Sequence, residues 1–273
     1  MFCNQISNTK RDLWRQCRLK YRYRYVDYLE ETDPGNMDAL QFGSYIHQIF
    51  EEGAECTTLE QLQEIAQNLR ETYKFGKTYE PKIITCLKNF LRLNASFPEK
   101  GQVELSYKQD LGCVEQVGFV DRIIKGKEGG LLVIDYKTGK REKSKFELFD
   151  DSQGMSYVYA AHKTYDIPVD KITFAHYYPL TDNMVTVKYT PAALIKHNKR
   201  IVEDTWNIRK AKKVDLTPSE NQYCNWCGFK SLCPIFNPAQ LVEERLQNAT
   251  KKPRRSSNCL LYTSDAADDL LCV

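Results

Sequence analysis

At 273 residues and 31.8 kDa the chain is long enough to enclose one sizeable core, and 42% hydrophobic with 27% charged residues is an ordinary globular composition. The sequence contains no apolar run of the roughly eighteen residues that a membrane-spanning helix needs, and the opening MFCNQISNTKRD lacks the apolar stretch of a signal peptide, so a cytoplasmic protein with no membrane partner is expected. The net charge of +3 says little about partners, but ten cysteines in a reducing compartment argue for metal ligation over a disulfide framework.

In chain order, SNTKRDLWRQCRLKYRYRYVDYLEE opens on the N-cap candidates Ser7, Asn8 and Thr9 and continues as a helix. Its interleaved arginines and tyrosines suit either contact with bases and phosphates or tyrosines packed on the core with arginines outside. LQFGSYIHQIFEEG, TLEQLQEIAQNLRETY and EPKIITCLKNFLRLNA have helical periodicity. Three strands follow, QVELSYKQDL, VEQVGFVDRIIK and GLLVIDYKTG, the last two joined as a hairpin through KGKEGG. A helix at about 150–166, strands KITFAHYYPL and MVTVKYT, and a basic helix at about 191–212 lead to the cysteine-rich YCNWCGFKSLCP. This order describes an α/β core with helical additions at both ends and no internal repeat. Residues 241–255 read as a basic linker. Residues 256–273 change composition abruptly, carry three acids and no base, resemble sequencing-adapter read-through, and are expected to be disordered.

Asp121, Asp135 and Lys137 interrupt the most strand-like segments of the chain. Asp135 and Lys137 are two apart on one strand and project from the same face, and Asp121, on the preceding strand, can reach that face. Convergent carboxylates repel unless a cation lies between them, and hard oxygen ligands suit Mg²⁺ or Mn²⁺. A lysine alongside can orient water or stabilise charge developing on a phosphate. A lone D-x-K is short and frequent, and by itself is as well explained by local ion pairs, Asp135–Lys137 and Asp121–Arg122. His47 and Glu51 lie one turn apart on a helix, as do Gln153 and Tyr157; each pair alone is an ordinary polar ridge.

In order along the chain, GSYIH, GFVD, IDYKTGK and QGMSY resemble the PD-(D/E)XK nuclease superfamily, in particular its RecB-like branch. The resemblance implies a restriction-endonuclease-like α/β core, a mixed central sheet flanked by helices, with helical N-terminal and cysteine-rich C-terminal additions. It implies that His47, Asp121 and Asp135 bind the divalent metal with the backbone carbonyl of Tyr136. Lys137 would be the catalytic lysine beside Asp121 and Asp135, and Gln153 and Tyr157 would position the DNA strand. The superfamily often carries Glu where this chain has Asp135, a tolerated shortening. Glu104 is a further acid near the site, and Glu51 a supporting one. Lys140, Arg141, Lys143 and Lys145 follow the catalytic strand, and that much positive charge suits a polyanion.

Cys224, Cys227 and Cys233 are spaced C-x₂-C-x₅-C, one thiolate short of a tetrahedral site, and Cys17 is the natural fourth. Four thiolates suit either iron–sulfur or zinc. The resemblance favours a [4Fe–4S] cluster, since members of that branch pair one distant N-terminal cysteine with three near the C-terminus. Residues 1–240 are then expected to form a single nuclease domain, with a catalytic core at about 40–190 and a cluster lobe made by 1–30 and 215–240. The implied activity is a metal-dependent DNA exonuclease acting on single-stranded or resected ends in repair, recombination or phage replication, with a helicase, recombinase or integrase as partner. Alternatives are a CRISPR adaptation nuclease that trims prespacers, a non-catalytic DNA-binding module on the same fold, and a zinc-stapled structural protein.

Overall fold

The computed structural model describes residues 5–31, 37–97, 99–126, 129–139 and 141–238. Lys140, the linker 241–255 and the tail 256–273 lie outside the described residues. Six strands form one mixed sheet: β1 (Gln5–Ile6), β2 (Gln102–Asp110), β3 (Glu115–Lys125), β4 (Leu131–Tyr136), β5 (Ile172–Tyr178) and β6 (Asn183–Val187). The longest, β3, pairs antiparallel with β2 along one edge; its other edge takes β1 in parallel at Glu115 and Gln116 and β4 antiparallel from Arg122 to Lys125. β5 joins β4 in parallel, and β6 closes the sheet antiparallel to β5.

The helices are α1 (Asn8–Gln16), α2 (Arg18–Tyr25), α3 (Met37–Glu52), α4 (Leu59–Leu69), α5 (Glu80–Ala95), α6 (Lys145–Phe149), α7 (Ser152–Tyr165) and α8 (Pro191–Lys210). In α3 the fully buried Phe42, Tyr45, Ile46, Ile49 and Phe50 fall at i, i+3, i+4, i+7 and i+8, the stripe a core-facing helix requires. With α4 and α5 that stripe covers one face of the sheet, over Ile124, Ile134, Tyr136, Ala175 and Tyr177, and the Phe50 and Phe90 rings stack at 4.0 Å. α7 covers the opposite face, over Val120, Ile123, Val133, Ile172 and Phe174. β3, β4 and β5 are therefore buried on both sides, which explains their near-continuous apolar runs. Among the described residues no helix is long and apolar enough to cross a membrane.

Two expectations need correction and one open alternative closes. The N-terminal segment is two helices, because Cys17 is extended (φ −160°, ψ 112°) and serves as C-cap of α1 and N-cap of α2. Tyr21 and Tyr23 are buried, so core packing, and not base stacking, accounts for them. The basic loop after the catalytic strand is interrupted by α6, whose capping box, Ser144 with Glu147, is the S-x-x-E signature of a helix start.

A buried polar network ties α1, β3, α7 and α8 together. Ser156 Oγ lies 2.7 Å from Gln116 Nε2, 2.9 Å from His197 Nε2 and 3.1 Å from Asn8 Oδ1, while Gln116 Nε2 also donates to Asn8 Oδ1 at 3.0 Å. Burial holds the His197 imidazole down to about 3, helped by the charges of Arg11, Arg15 and Arg200. A histidine depressed in the folded state supplies stability that is complete above its unfolded value near 6.5 and is lost as pH falls towards the folded value. Below pH ~6.5 His197 should therefore add to the denaturation curves a limb of about 1.4 kcal/mol lost per pH unit, against the opposite trend of the burial-raised Asp121 carboxyl. His197→Gln should flatten that limb, and an unchanged slope in the variant would remove His197 as its source.

Candidate active site

The hairpin register that places Arg122 opposite Ile134, carried one residue further, brings Asp121 level with Asp135, and the parallel pairing of β4 with β5 sets His176 directly beside Asp135. Three neighbouring strands thus offer two acids and an imidazole at one level, on the face covered by α7. Gly118, in the GFVD segment, pairs with Tyr107 on β2, whose hydroxyl would lie 2.6 Å from any Cβ there, so the ring crosses β3 where a side chain would block it. Arg122 turns to the opposite face: its Nη1 donates to Asn94 Oδ1 at 2.6 Å, its Nε to the Lys100 carbonyl at 2.8 Å, and its guanidinium lies over the Phe90 ring. The alternative of an Asp121–Arg122 pair at the hairpin edge therefore fails. Asp135 and Lys137, by contrast, do pair, at 2.7 Å.

Asp121 Oδ2 accepts from the backbone N–H of Tyr136 at 2.8 Å and lies 3.5 Å from His47 Nδ1. The other ring nitrogen of His47 sits 2.9 Å from the Tyr136 carbonyl. Asp135 Oδ2 carries both Lys137 Nζ and His176 Nε2, the latter at 2.9 Å. Among the described residues, Oδ1 of each aspartate has no protein partner. Burial raises the Asp121 carboxyl, which His47 opposes and the nearby Asp135 charge reinforces. Burial acts the same way on Asp135, but Lys137 and then His176 outweigh it and keep this acid ionised; burial would lower Lys137, yet Asp135 holds it well above the ordinary lysine range. One carboxylate is firmly anionic, its neighbour resists ionisation, and the lysine stays protonated. A cation between the acids would relieve that asymmetry.

Gln153 and Tyr157, at the start of α7, reach the same place: Lys137 Nζ donates to Gln153 Oε1 at 2.9 Å, and Gln153 Nε2 donates to Tyr157 Oη at 2.7 Å. Glu104 lies across β3 from Asp121 by register, on a backbone with φ 47°, a conformation disfavoured for any residue with a Cβ. Glu51 sits one turn past His47 on α3, its carboxyl raised by burial and by Glu52 against the pull of His47. Arg141 is bonded to Glu147, and Lys143 to Asp151 at 2.5 Å, so both basic side chains already have acidic partners near the site. The sequence reading missed His176, Asp151 and Tyr178. Asp151 caps α7 through the Gly154 N–H, and Tyr178 Oη accepts from the Lys143 N–H at 2.8 Å.

Cys17, Cys224, Cys227 and Cys233 are all free thiols and line one pocket with Lys20, Asn221 and Tyr223. Their surroundings are knit from both ends of the described chain: Asn221 donates to the Gln16 carbonyl, Tyr23 to the Leu232 carbonyl, and Leu19, Tyr23, Leu29 and Phe229 share one apolar cluster. Burial raises the Cys227 and Cys233 thiols. Among the described residues no three His, Cys, Asp or Glu side chains close into a ligand group, and the acids are drawn to Lys137, His176 and the backbone. In chemical type both sets fit their expected occupants, oxygen and imidazole for a hard divalent cation, four thiols for a cluster or zinc.

A model of the PD-(D/E)XK nuclease superfamily matches residues 5–234, which takes in the whole site and all four pocket cysteines. The chain belongs to that superfamily. Among solved structures it is similar to a protein of Eubacterium rectale described as a "Putative exonuclease", with 13% identity, TM-score 0.51, and coverage of 92% of this chain and 91% of that one. That likeness supports the mixed sheet flanked by helices as a restriction-endonuclease-like core. The structure of SSO0001 aligns more loosely, at 17% identity and TM-score 0.41 over 85% of this chain and 86% of that one. A search of curated proteins returns no match.

Gly154 sets how closely α7 approaches the sheet, since a Cβ there would lie 2.4 Å from Phe174 and 2.5 Å from the Tyr189 hydroxyl. Gly154→Ala should cost about 1–3 kcal/mol in urea denaturation through overpacking. It should also lower activity by lifting Gln153 away from Lys137. Wild-type stability in the variant would mean that the helix is not held where the site needs it.

Proposed function

We propose that the protein is a divalent-metal-dependent deoxyribonuclease of the RecB-like branch, degrading single-stranded or resected DNA from its ends. The observation that supports this reading is the convergence of Asp121, Asp135 and Lys137 with the Tyr136 carbonyl and His47 at one level of the sheet. In this reading His47, Asp121, Asp135 and the Tyr136 carbonyl hold Mg²⁺ or Mn²⁺. When bound, the cation supplies Lewis acidity and a more acidic water. Lys137, kept protonated beside Asp135 and steadied by Gln153, orients the attacking water and stabilises charge developing on the phosphate. Gln153 and Tyr157 place the strand, with Arg141, Lys143 and Lys145 beside it as a basic approach. The four pocket thiols hold a [4Fe–4S] cluster, with zinc the rival occupant, and so staple 1–30 to 215–240 within one domain of residues 1–240. Unwinding or integration falls to a partner such as a helicase, recombinase or integrase.

Two experiments test the reading. Anaerobically purified protein is assayed on end-labelled single strands, linear duplex and closed circles, with Mn²⁺, Mg²⁺ or EDTA. Metal-dependent loss of linear but not circular DNA is expected, and Lys137→Ala should reduce it by about a hundredfold or more with melting temperature and DNA binding retained. Binding without cutting in every condition would leave a non-catalytic module, and unfolding of the variant would make the lysine structural. For the pocket, absorbance near about 400 nm is expected in the wild type and should vanish in Cys227→Ser together with stability. Stoichiometric zinc and no such band would replace the cluster.

A further inference from the structure

His176 is fully buried at the centre of β5, directly beside Asp135 in register. Its hydrogen-bond chain runs through Tyr178. The Lys143 N–H donates to Tyr178 Oη at 2.8 Å, which leaves the Tyr178 hydroxyl proton for His176 Nδ1 at 3.3 Å. With Nδ1 as the acceptor a ring proton lies on Nε2, and Nε2 faces Asp135 Oδ2 at 2.9 Å. The approach is oblique, and Lys137 Nζ shares the same oxygen at 2.7 Å. Lys137 is a long side chain, one-third exposed, whereas the imidazole lies between the Phe174 and Tyr178 rings. Of the two partners only His176 is wholly buried.

We infer that His176 is a positioning residue: by holding Oδ2 of Asp135 it turns Oδ1 of that carboxylate towards the divalent cation, and the Lys143–Tyr178–His176 chain keeps it in the tautomer that can do so. The inference rests on the reading of Asp135 as a metal ligand. Groups that orient a ligand in this way typically contribute about ten- to a hundredfold in metal affinity. Side-chain reach separates orientation from packing. A glutamine amide reaches to the place of Nε2 and can restore the contact with Asp135, whereas an asparagine amide stops near the place of Nδ1.

The test measures Mn²⁺ binding to the full chain without DNA, by the electron paramagnetic resonance signal of free Mn²⁺, for wild type, His176→Gln, His176→Asn and Asp135→Asn, with melting temperatures in parallel. His176→Asn should weaken Mn²⁺ about ten- to a hundredfold, and His176→Gln should stay within about threefold of wild type. Nuclease activity of His176→Asn should recover at high metal concentration. Wild-type affinity in His176→Asn, or equal losses in the two variants, would overturn the positioning role while Asp135→Asn still abolishes binding. Unchanged binding in Asp135→Asn would overturn the metal-site reading itself, and this inference with it. If His176→Asn does not fold, Tyr178→Phe takes its place: about a threefold or greater loss of Mn²⁺ affinity at an unchanged melting temperature is expected, and wild-type affinity overturns the proposal.

Discussion

Two carboxylates at the centre of a sheet buried on both faces are the constraint around which the structure is arranged. Asp121 and Asp135 are almost wholly removed from water. Placed there alone, each would be strongly disfavoured as an anion. The strands on either side supply what offsets this: Lys137 two residues on, His176 across the parallel pair, His47 from α3, and a backbone N–H from Tyr136. The offset is uneven, and that unevenness is the useful property. One oxygen of Asp135 has the Lys137 ammonium and the His176 imidazole against it, while Asp121 has a backbone N–H and an imidazole at 3.5 Å, an imbalance that supports the cation proposed between them.

The same constraint explains why each flanking element sits where it does. α3 contributes an apolar stripe and one imidazole, α7 an apolar face and one amide, and the polar group in each case emerges at the end nearest the acids. Arg122, next to Asp121 in sequence, is taken out of the site by the alternation of the strand. Its charge is spent on Asn94, the Lys100 carbonyl and the Phe90 ring beneath the opposite face. A second cation beside Asp121 would have closed the gap that a metal is expected to fill.

Local rules made much of this legible. The i, i+3, i+4 stripe of α3, the proline-started α5, and the hairpin around its glycine-containing turn are short-range patterns, and they place His47, Asp121, Asp135 and Lys137 with little help from the rest of the chain. His176 was not legible because its place beside Asp135 depends on the register of a parallel pair whose strands are separated by α6 and α7, and no turn fixes that register. β1 escaped notice because two residues carry no periodicity, and the left-handed backbone at Glu104 because it leaves no trace in composition. The break at Cys17 was hidden by helical residues on both sides of it. It becomes intelligible only when the thiol is seen to line a pocket with cysteines from the far end of the fold.

The first residues of the fold are held by some of its last. Gln5 pairs with Glu115, Asn8 reaches Ser156, and Tyr23 donates to Leu232 across 209 positions of chain. On a ribosome these partners emerge in the wrong order, so α1 and α2, with their tyrosines, wait without a surface to cover them until nearly all of the domain has been made. Contacts of such long separation carry a large loop-closure cost and slow folding. The β3–β4 hairpin can settle early, whereas the N-terminal helices dock last, and the interval between is when the chain is most exposed to misassembly.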